Sequence, residues 1–207
     1  KVVSNFKESR LGYDLVLGGV KHLGYYPDKI NNISEKKAQE LMQDLLAENL
    51  GIKKNQLILD AGCGQGIVSA YLAKKHGCKI IGITIISFEI AKAKIFAEKL
   101  EVNQNAEYYL MDYSNTSFKD NKFDAVYAIE SFVHSPDPNL TLKEFFRILK
   151  PGGKLAIFDY TISADREFTN YEQKMWNLIV EGTAVGSIKN MRHNSFANLL
   201  KKLTGLE

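Results

Sequence analysis

An apolar run, Leu57-Ile58-Leu59, ends at Asp60 and enters a turn with glycine at positions 62, 64 and 66, after which a helical pattern begins at once. Glycines at alternate positions leave no side chains between the backbone and a ligand. Amides at the following helix N-terminus are then open to a nucleoside or a carboxylate. The dinucleotide fingerprint G-x-G-x-x-G wants its third glycine three places after the second, whereas here it comes two places after and residue 67 is isoleucine. The close-packing glycine of that fingerprint therefore reads as missing. An acid for a ribose hydroxyl, due about 20 residues on, is replaced by Gly82-Ile83-Thr84. An NAD(P)- or FAD-type oxidoreductase stays open as the weaker reading of the turn.

Ser34 is placed to cap a helix whose Ala38, Leu41, Met42, Leu45 and Leu46 follow the spacing of one buried face. From there the pattern predicts strand 56–61, helix 65–76, strand 78–84, helix 87–100, strands 106–112 and 123–129, helix 139–149 and strand 154–161. Such alternation argues for an α/β domain with a doubly wound, mostly parallel sheet covered on both faces. Lys150-Pro151-Gly152-Gly153 supplies a stop and a turn before the last of these strands. Residues 162–192 read as a substrate lid, with Tyr171, Met175, Leu178 and Ile179 along one side of a short helix and Trp176 beside them. Phe196, Leu199, Leu200 and Leu203 pattern a last helix.

The 207 residues, 45% of them hydrophobic, fit one domain. Its divisions are an N-terminal helical segment at 1–50, a core at 55–161 and the lid at 162–192. A formal charge of +3 is weak and its lysines are scattered, so no basic stripe points to nucleic acid. The most apolar interval, 80–88, falls well short of the about 20 residues that span a bilayer, and no stable membrane insertion is expected. Cys63 and Cys78 read as free thiols in a reducing compartment, hence a cytoplasmic protein, and no metal-ligand spacing appears.

The segment Leu-Asp-Ala-Gly-Cys-Gly-Gln-Gly at 59–66 resembles the first motif of class I S-adenosylmethionine-dependent methyltransferases. With further ordered motifs, the resemblance runs from about Tyr25 to Thr161 and is nearest to the tocopherol, sterol and natural-product small-molecule group. It implies a Rossmann-like fold and S-adenosylmethionine as coenzyme. Asp60, Gly62, Gly64 and Gln65 would then face its methionine end. Thr84 stands where most relatives have an acid, and Glu89, five places later, is the ribose candidate, although a glutamate in the first turn of a helix also complements the dipole. Met111 and Asp112 match the adenine site. His22-Leu23-Gly24-Tyr25-Tyr26 is similar to a segment that closes over the coenzyme, and Tyr25 and Tyr26 would meet the sulfonium.

After the fourth strand, Glu130-Ser-Phe-Val-His134-Ser-Pro is similar to the same group's Glu-x-x-x-His-x-Pro pattern. His134 would be the base, and Glu130 would orient the acceptor or balance developing charge while also touching the coenzyme. A turn-capping role for His134 remains open. The pattern Asn/Asp-Pro-Pro-aromatic, typical of enzymes that methylate exocyclic amines of nucleic acids or the amide of glutamine, is absent from this position. The expected partner is a small-molecule acceptor, prenylated, sterol-like or of natural-product type, and the choice among carbon, oxygen and nitrogen methylation stays open. A coenzyme-binding module without turnover and a homodimer also stay open. Because the resemblance implies two further strands after the last helix, the sequence is expected to be part of a longer chain.

Overall fold

A computed structural model of the chain describes residues 22–27, 32–161 and 167–183, together with 198 and 201. In chain order these form α1 (Glu35–Leu50), β1 (Leu57–Ala61), α2 (Ile67–His76), β2 (Lys79–Thr84), α3 (Ser87–Lys99), β3 (Ala106–Leu110), β4 (Phe123–Ile129), a 3-10 turn (Phe132–His134), α4 (Pro138–Ile148), β5 (Leu149–Phe158) and α5 (Asn170–Thr183). Local chemistry sets several of these bounds. Ser34 Oγ accepts the Lys37 amide at the start of α1, and Gly51 ends that helix in the left-handed region. Asp137 caps α4 by accepting the amides of Asn139 and Leu140, with Pro138 as the first helical residue.

The five strands are all parallel in the order β3-β2-β1-β4-β5. The chain winds outward from β1 to β3, then returns to lay β4 on the other side of β1. That reversal opens a crevice at the carboxyl ends of β1 and β4, the place where open α/β sheets bind ligands. Alternate strand residues supply two cores. Ile58, Ile80, Ala125 and Tyr127 pack with Leu46, Ala70, Leu72 and Ala93 of α1, α2 and α3. Leu59, Ile81, Ile83 and Val126 pack with Leu142, Phe145 and Ile148 of α4 and Val180 of α5.

Three sequence expectations change. β5 follows α4 without a gap, and Pro151-Gly152-Gly153 forms an irregularity inside it, since pairing with β4 jumps from Phe123–Leu149 to Ala125–Lys154. On α5, Tyr171, Met175 and Leu178 do share a stripe, but it faces outward, at 72%, 40% and 56% exposure. The inward face belongs to Trp176 and Val180, with the Phe168 ring 5.8 Å from Trp176. Periodicity finds a stripe without deciding which way it points; contact with the sheet decides that. The Ile179 side chain and the apolar positions of the last patterned helix lie outside the described residues.

Phe145 is fully buried, with edge contacts to Tyr113 at 6.0 Å and a tilted contact to Phe132 at 6.2 Å. Phe145→Ala should lower the unfolding free energy by about 3–5 kcal/mol, the range for emptying a large aromatic site, as read by urea denaturation.

Candidate functional site

The turn after β1 is built from backbone. Gly62, Gly64 and Gly66 all have positive φ, at 95°, 50° and 75°. At Gly62 a side chain is excluded by space as well as by torsion, because a Cβ there would sit 2.4 Å from Ser131 Cβ and 2.7 Å from Ser131 Oγ. Ser131 Oγ in turn donates to the Ala61 carbonyl at 2.6 Å, and Tyr113 donates to the Ser131 carbonyl at 2.9 Å. The loops after β1 and β4 are thus sewn together at the bottom of the crevice.

Gly66 has a separate role. A Cβ on it would meet Ala93 at 2.7 Å and the Tyr108 ring at 2.8 Å. The close-packing glycine that looked missing is therefore present one residue before the expected place, because α2 begins at Ile67. The Gly62 amide, which the resemblance would turn toward the coenzyme, is engaged by the chain itself. It and the Cys63 amide both donate to the Ile83 carbonyl at 2.9 Å, continuing the β1–β2 ladder by one step. The Gly64 amide has no such partner among the described residues.

Asp60 lies beneath this turn rather than in it. It is 3% exposed and accepts a 2.5 Å hydrogen bond from Ser69 Oγ of α2. Burial pushes its carboxyl up to about 6, against the opposing pull of the Ser69 bond. The Tyr127 hydroxyl is buried beside it, close enough to help hold the ionised form, though without full hydrogen-bond geometry to any of the described residues. Asp60 is thus placed to fix the turn on α2 from below.

At the ends of β2 and β3 the candidate side chains are held by neighbours close in sequence. Thr84 Oγ1 donates to Glu89 Oε2 at 2.8 Å and accepts the Ile86 amide at 3.2 Å. Glu89, in the first turn of α3, is 2% exposed. Asp112 is exposed, with Oδ1 taken by the Ser114 amide and hydroxyl at 2.8 and 2.7 Å, while Oδ2 carries no hydrogen bond among the described residues. Met111 is half-buried beside it against the second core. Gln65 is half-buried in the glycine turn.

Residues 22–27 form a strap beside the crevice. His22 is buried, its Nε2 3.2 Å from Gln43 Nε2 of α1, and its carbonyl accepts from Gln39 at 3.3 Å. Burial lowers the His22 pKa, the Leu23 carbonyl bond opposing. Gly24 presses against Ala38, the Tyr25 amide donates to the Ala38 carbonyl at 2.9 Å, and Tyr26 donates to Glu35. The rings of Tyr25 and Tyr26 stay exposed.

Beyond β4, His134 closes the 3-10 turn, half-buried, with its amide on the Ser131 carbonyl at 3.1 Å. Glu130 spends both oxygens on protein groups: Oε1 accepts the Leu23 amide at 2.8 Å and Oε2 accepts the Tyr160 hydroxyl. The motif reading missed Asp159, which accepts the amides of Val133 at 2.8 Å and Tyr160 at 2.9 Å. Burial, with the nearby Glu130 charge, holds Asp159 up at about 6 despite those bonds. The signal was there: an acid directly after the last apolar strand, at the sheet edge where open α/β folds bind ligands.

A family model described as "Methyltransferase domain" matches residues 59–157. Sterol 24-C-methyltransferase ERG6 of Saccharomyces cerevisiae is 32% identical over 162 residues, which are 78% of this chain and 42% of that protein. An S-adenosyl-L-methionine-dependent Diels-Alderase, iccD of Talaromyces variabilis, is 30% identical over 203 residues, 95% of this chain and 69% of its own. Geranyl diphosphate C-methyltransferase from Streptomyces coelicolor A3(2), solved with Mg2+, geranyl-S-thiolodiphosphate and S-adenosyl-L-homocysteine, shares the fold at a TM-score of 0.75 and 17% identity, covering 93% of this chain and 72% of that one. The chain spans about half or less of the length of the sterol methyltransferases and the Streptomyces halstedii methyltransferase it matches. Among the described residues, no helix is long and apolar enough to cross a membrane.

Two predictions follow from this geometry. Gly62→Ala should cost about 1–3 kcal/mol and abolish ligand binding at the turn. Gly152→Ala has a similar φ of 75° but nothing within 4 Å of its Cβ, and should cost only about 1 kcal/mol. Denaturation of both variants, with calorimetry of the first, checks the pair.

Asp60 and Asp159 hold protons in the folded state up to about pH 6 that the unfolded chain releases near 3.8. Folded protein therefore binds more protons in that window. Their stabilising contribution is complete below the unfolded value and is lost as pH rises through about 6. Asp60→Asn should flatten the fall in stability across that window and leave the smaller slope that Asp159 supplies, as followed by denaturation at several pH values.

Proposed function

Because the chain belongs to the family of class I S-adenosylmethionine-dependent methyltransferases, we propose that it transfers a methyl group from that coenzyme to a small-molecule acceptor in the crevice between β1 and β4. The observation that carries this reading is the side-chain-free turn at Gly62 and Gly64, with the buried Glu89 carboxylate and the open Oδ2 of Asp112 along the same sheet edge. These groups suit the parts of the coenzyme. The Gly64 amide meets a carboxylate, with Gln65 beside it. Glu89 accepts two ribose hydroxyls while Thr84 pins it, and Asp112 accepts an exocyclic amine beside the apolar wall of Met111. Tyr25 and Tyr26 offer ring faces to a cation. Asp60 acts on the coenzyme through the turn it supports.

When bound, the coenzyme supplies a methyl carbon on a positively charged sulfur, open to in-line attack. The protein's main task is to align the acceptor and keep water out, a contribution of about 7–11 kcal/mol in well-oriented reactions, against the about 10²–10⁴-fold a general base adds. We assign the base to His134, at the β4 end of the crevice, since an imidazole accepts protons near neutral pH. Exposed Leu23, Tyr25 and Tyr160 suit a largely apolar acceptor of prenylated, sterol-like or natural-product kind. We place the protein in the cytoplasm on its two buried, unpaired cysteines.

The likeness to the Talaromyces relative favours one second reading, coenzyme-dependent cyclisation without methyl release. Formation of S-adenosylhomocysteine over a panel of apolar acceptors tests the proposal. Its absence across the panel, with the coenzyme bound and a cyclised product made, would favour the second reading. For the first, His134→Ala should lower kcat by about 10²–10⁴-fold and leave the calorimetric affinity for S-adenosylmethionine at the parent's value. A parent-like kcat would remove His134 from the mechanism.

A further inference from the structure

Glu130 is the residue whose environment least suits the role its motif implies. It stands at the carboxyl end of β4 with φ of 47°, in the left-handed region that side-chain-bearing residues seldom adopt. That torsion is held by a main-chain bond, from the Glu130 amide to the Phe158 carbonyl at 2.7 Å. The side chain then reaches two distant parts of the chain. Oε1 takes the Leu23 amide, 107 residues away, at 2.8 Å, and Oε2 takes the Tyr160 hydroxyl just past β5. Each oxygen thus accepts from a group of the chain itself, and the two bonds hold the carboxylate between the strap and the residue just past β5.

The Leu23 end of this link is the sheet-side attachment of the strap. On its other side the strap is tied to α1 through His22 with Gln39 and Gln43, the Tyr25 amide on Ala38, and Tyr26 on Glu35. Those contacts would keep residues 22–27 on α1 wherever α1 goes. Of these hydrogen bonds among the described residues, it is the Leu23–Glu130 bond that ties that unit to the strand ends where the crevice opens. We propose that Glu130 is a positioning residue that anchors the strap, through the Leu23 amide, across the mouth of the crevice and so holds Tyr25 and Tyr26 at the coenzyme, rather than a group that exchanges protons with the acceptor.

The proposal rests on the coenzyme reading for its consequence but not for its geometry, and the test separates the two. Alanine and glutamine at position 130 carry the same backbone strain, so their difference isolates the side chain. Glutamine keeps a carbonyl oxygen for the Leu23 amide and an amide that can donate to the Tyr160 oxygen; alanine keeps neither. In coenzyme-free protein, amide exchange at Leu23 should accelerate about tenfold or more in Glu130→Ala and return close to the parent rate in Glu130→Gln. By calorimetry, Glu130→Ala should weaken S-adenosylhomocysteine binding about tenfold or more, the fold-change expected for one lost hydrogen bond to a charged acceptor. Glu130→Gln should recover most of it, and the loss in turnover should appear in the coenzyme KM more than in kcat.

Thermal melts first establish that both variants fold. Tyr160→Phe, which leaves the Leu23 bond intact, should raise exchange at Leu23 by less than Glu130→Ala does. Unchanged Leu23 exchange in folded Glu130→Ala would overturn the proposal. So would a Glu130→Gln that restores Leu23 protection yet loses kcat as fully as alanine, since that result assigns the carboxylate to the chemistry. Failure of the parent to bind S-adenosylhomocysteine would overturn the coenzyme reading, and the ligand-free exchange measurement would still decide the anchor.

Discussion

The backbone of Gly62 passes so close to Ser131 that nothing larger than hydrogen fits on its Cα, and the arrangement of the crevice depends on that contact. β1 and β4 are adjacent because the sheet reverses its winding there, but adjacency of strands does not fix the loops that follow them. Ser131 does so, filling the space Gly62 leaves and donating back to Ala61. The same contact fixes where the chain leaves β4, and so the positions of Glu130 and of the 3-10 turn that carries His134. Asp159 then holds that turn by its Val133 amide.

The site also shows where the fold gives up stability. Two carboxyls, Asp60 and Asp159, are kept in poorly solvated places that favour their protonated forms, and each is there to receive hydrogen bonds from groups that shape a loop. A hydrophobic core of the same volume would be more stable but would leave the Ser69 hydroxyl and the Val133 amide without partners. The left-handed backbone of Glu130 is a third cost in the same region. Unfavourable features concentrated at one sheet edge, with well-packed cores on both faces behind it, are the usual pattern for a ligand site on a rigid scaffold.

Most of the scaffold was legible in the sequence, and the residues say why. Alternating apolar runs gave β1 to β4 and the helices between them to within a few residues, because Ile58 and Leu59, or Ile80 and Ile81, must face opposite cores, whereas β5 begins five residues before its expected start. Thr84 and Glu89 were singled out by resemblance alone; their hydrogen bond emerges in the structure, where a strand end and the first turn of the next helix are neighbours. What stayed hidden depended on contacts distant in sequence. Nothing local marks the Gly62 amide as consumed by Ile83, or Gly66 as the close-packing glycine against Tyr108 of β3. The outward stripe on α5 and the link from Leu23 to Glu130 were hidden for the same reason.

The Tyr108 ring lies under both Gly66 and Gly82, with 2.7–2.9 Å between its carbons and the Cβ either glycine lacks, and its hydroxyl reaches the Gly66 carbonyl at 3.1 Å. One aromatic ring on β3 thus occupies room released by two other segments. The three positions form a linked set for evolution: a lineage can enlarge position 66 or 82 only after, or together with, a smaller residue at 108. Exchanging any single member between related proteins would import a clash or a hole, whereas moving all three together with Ala93 and Cys63, which crowd the same two glycines, would carry the local shape intact.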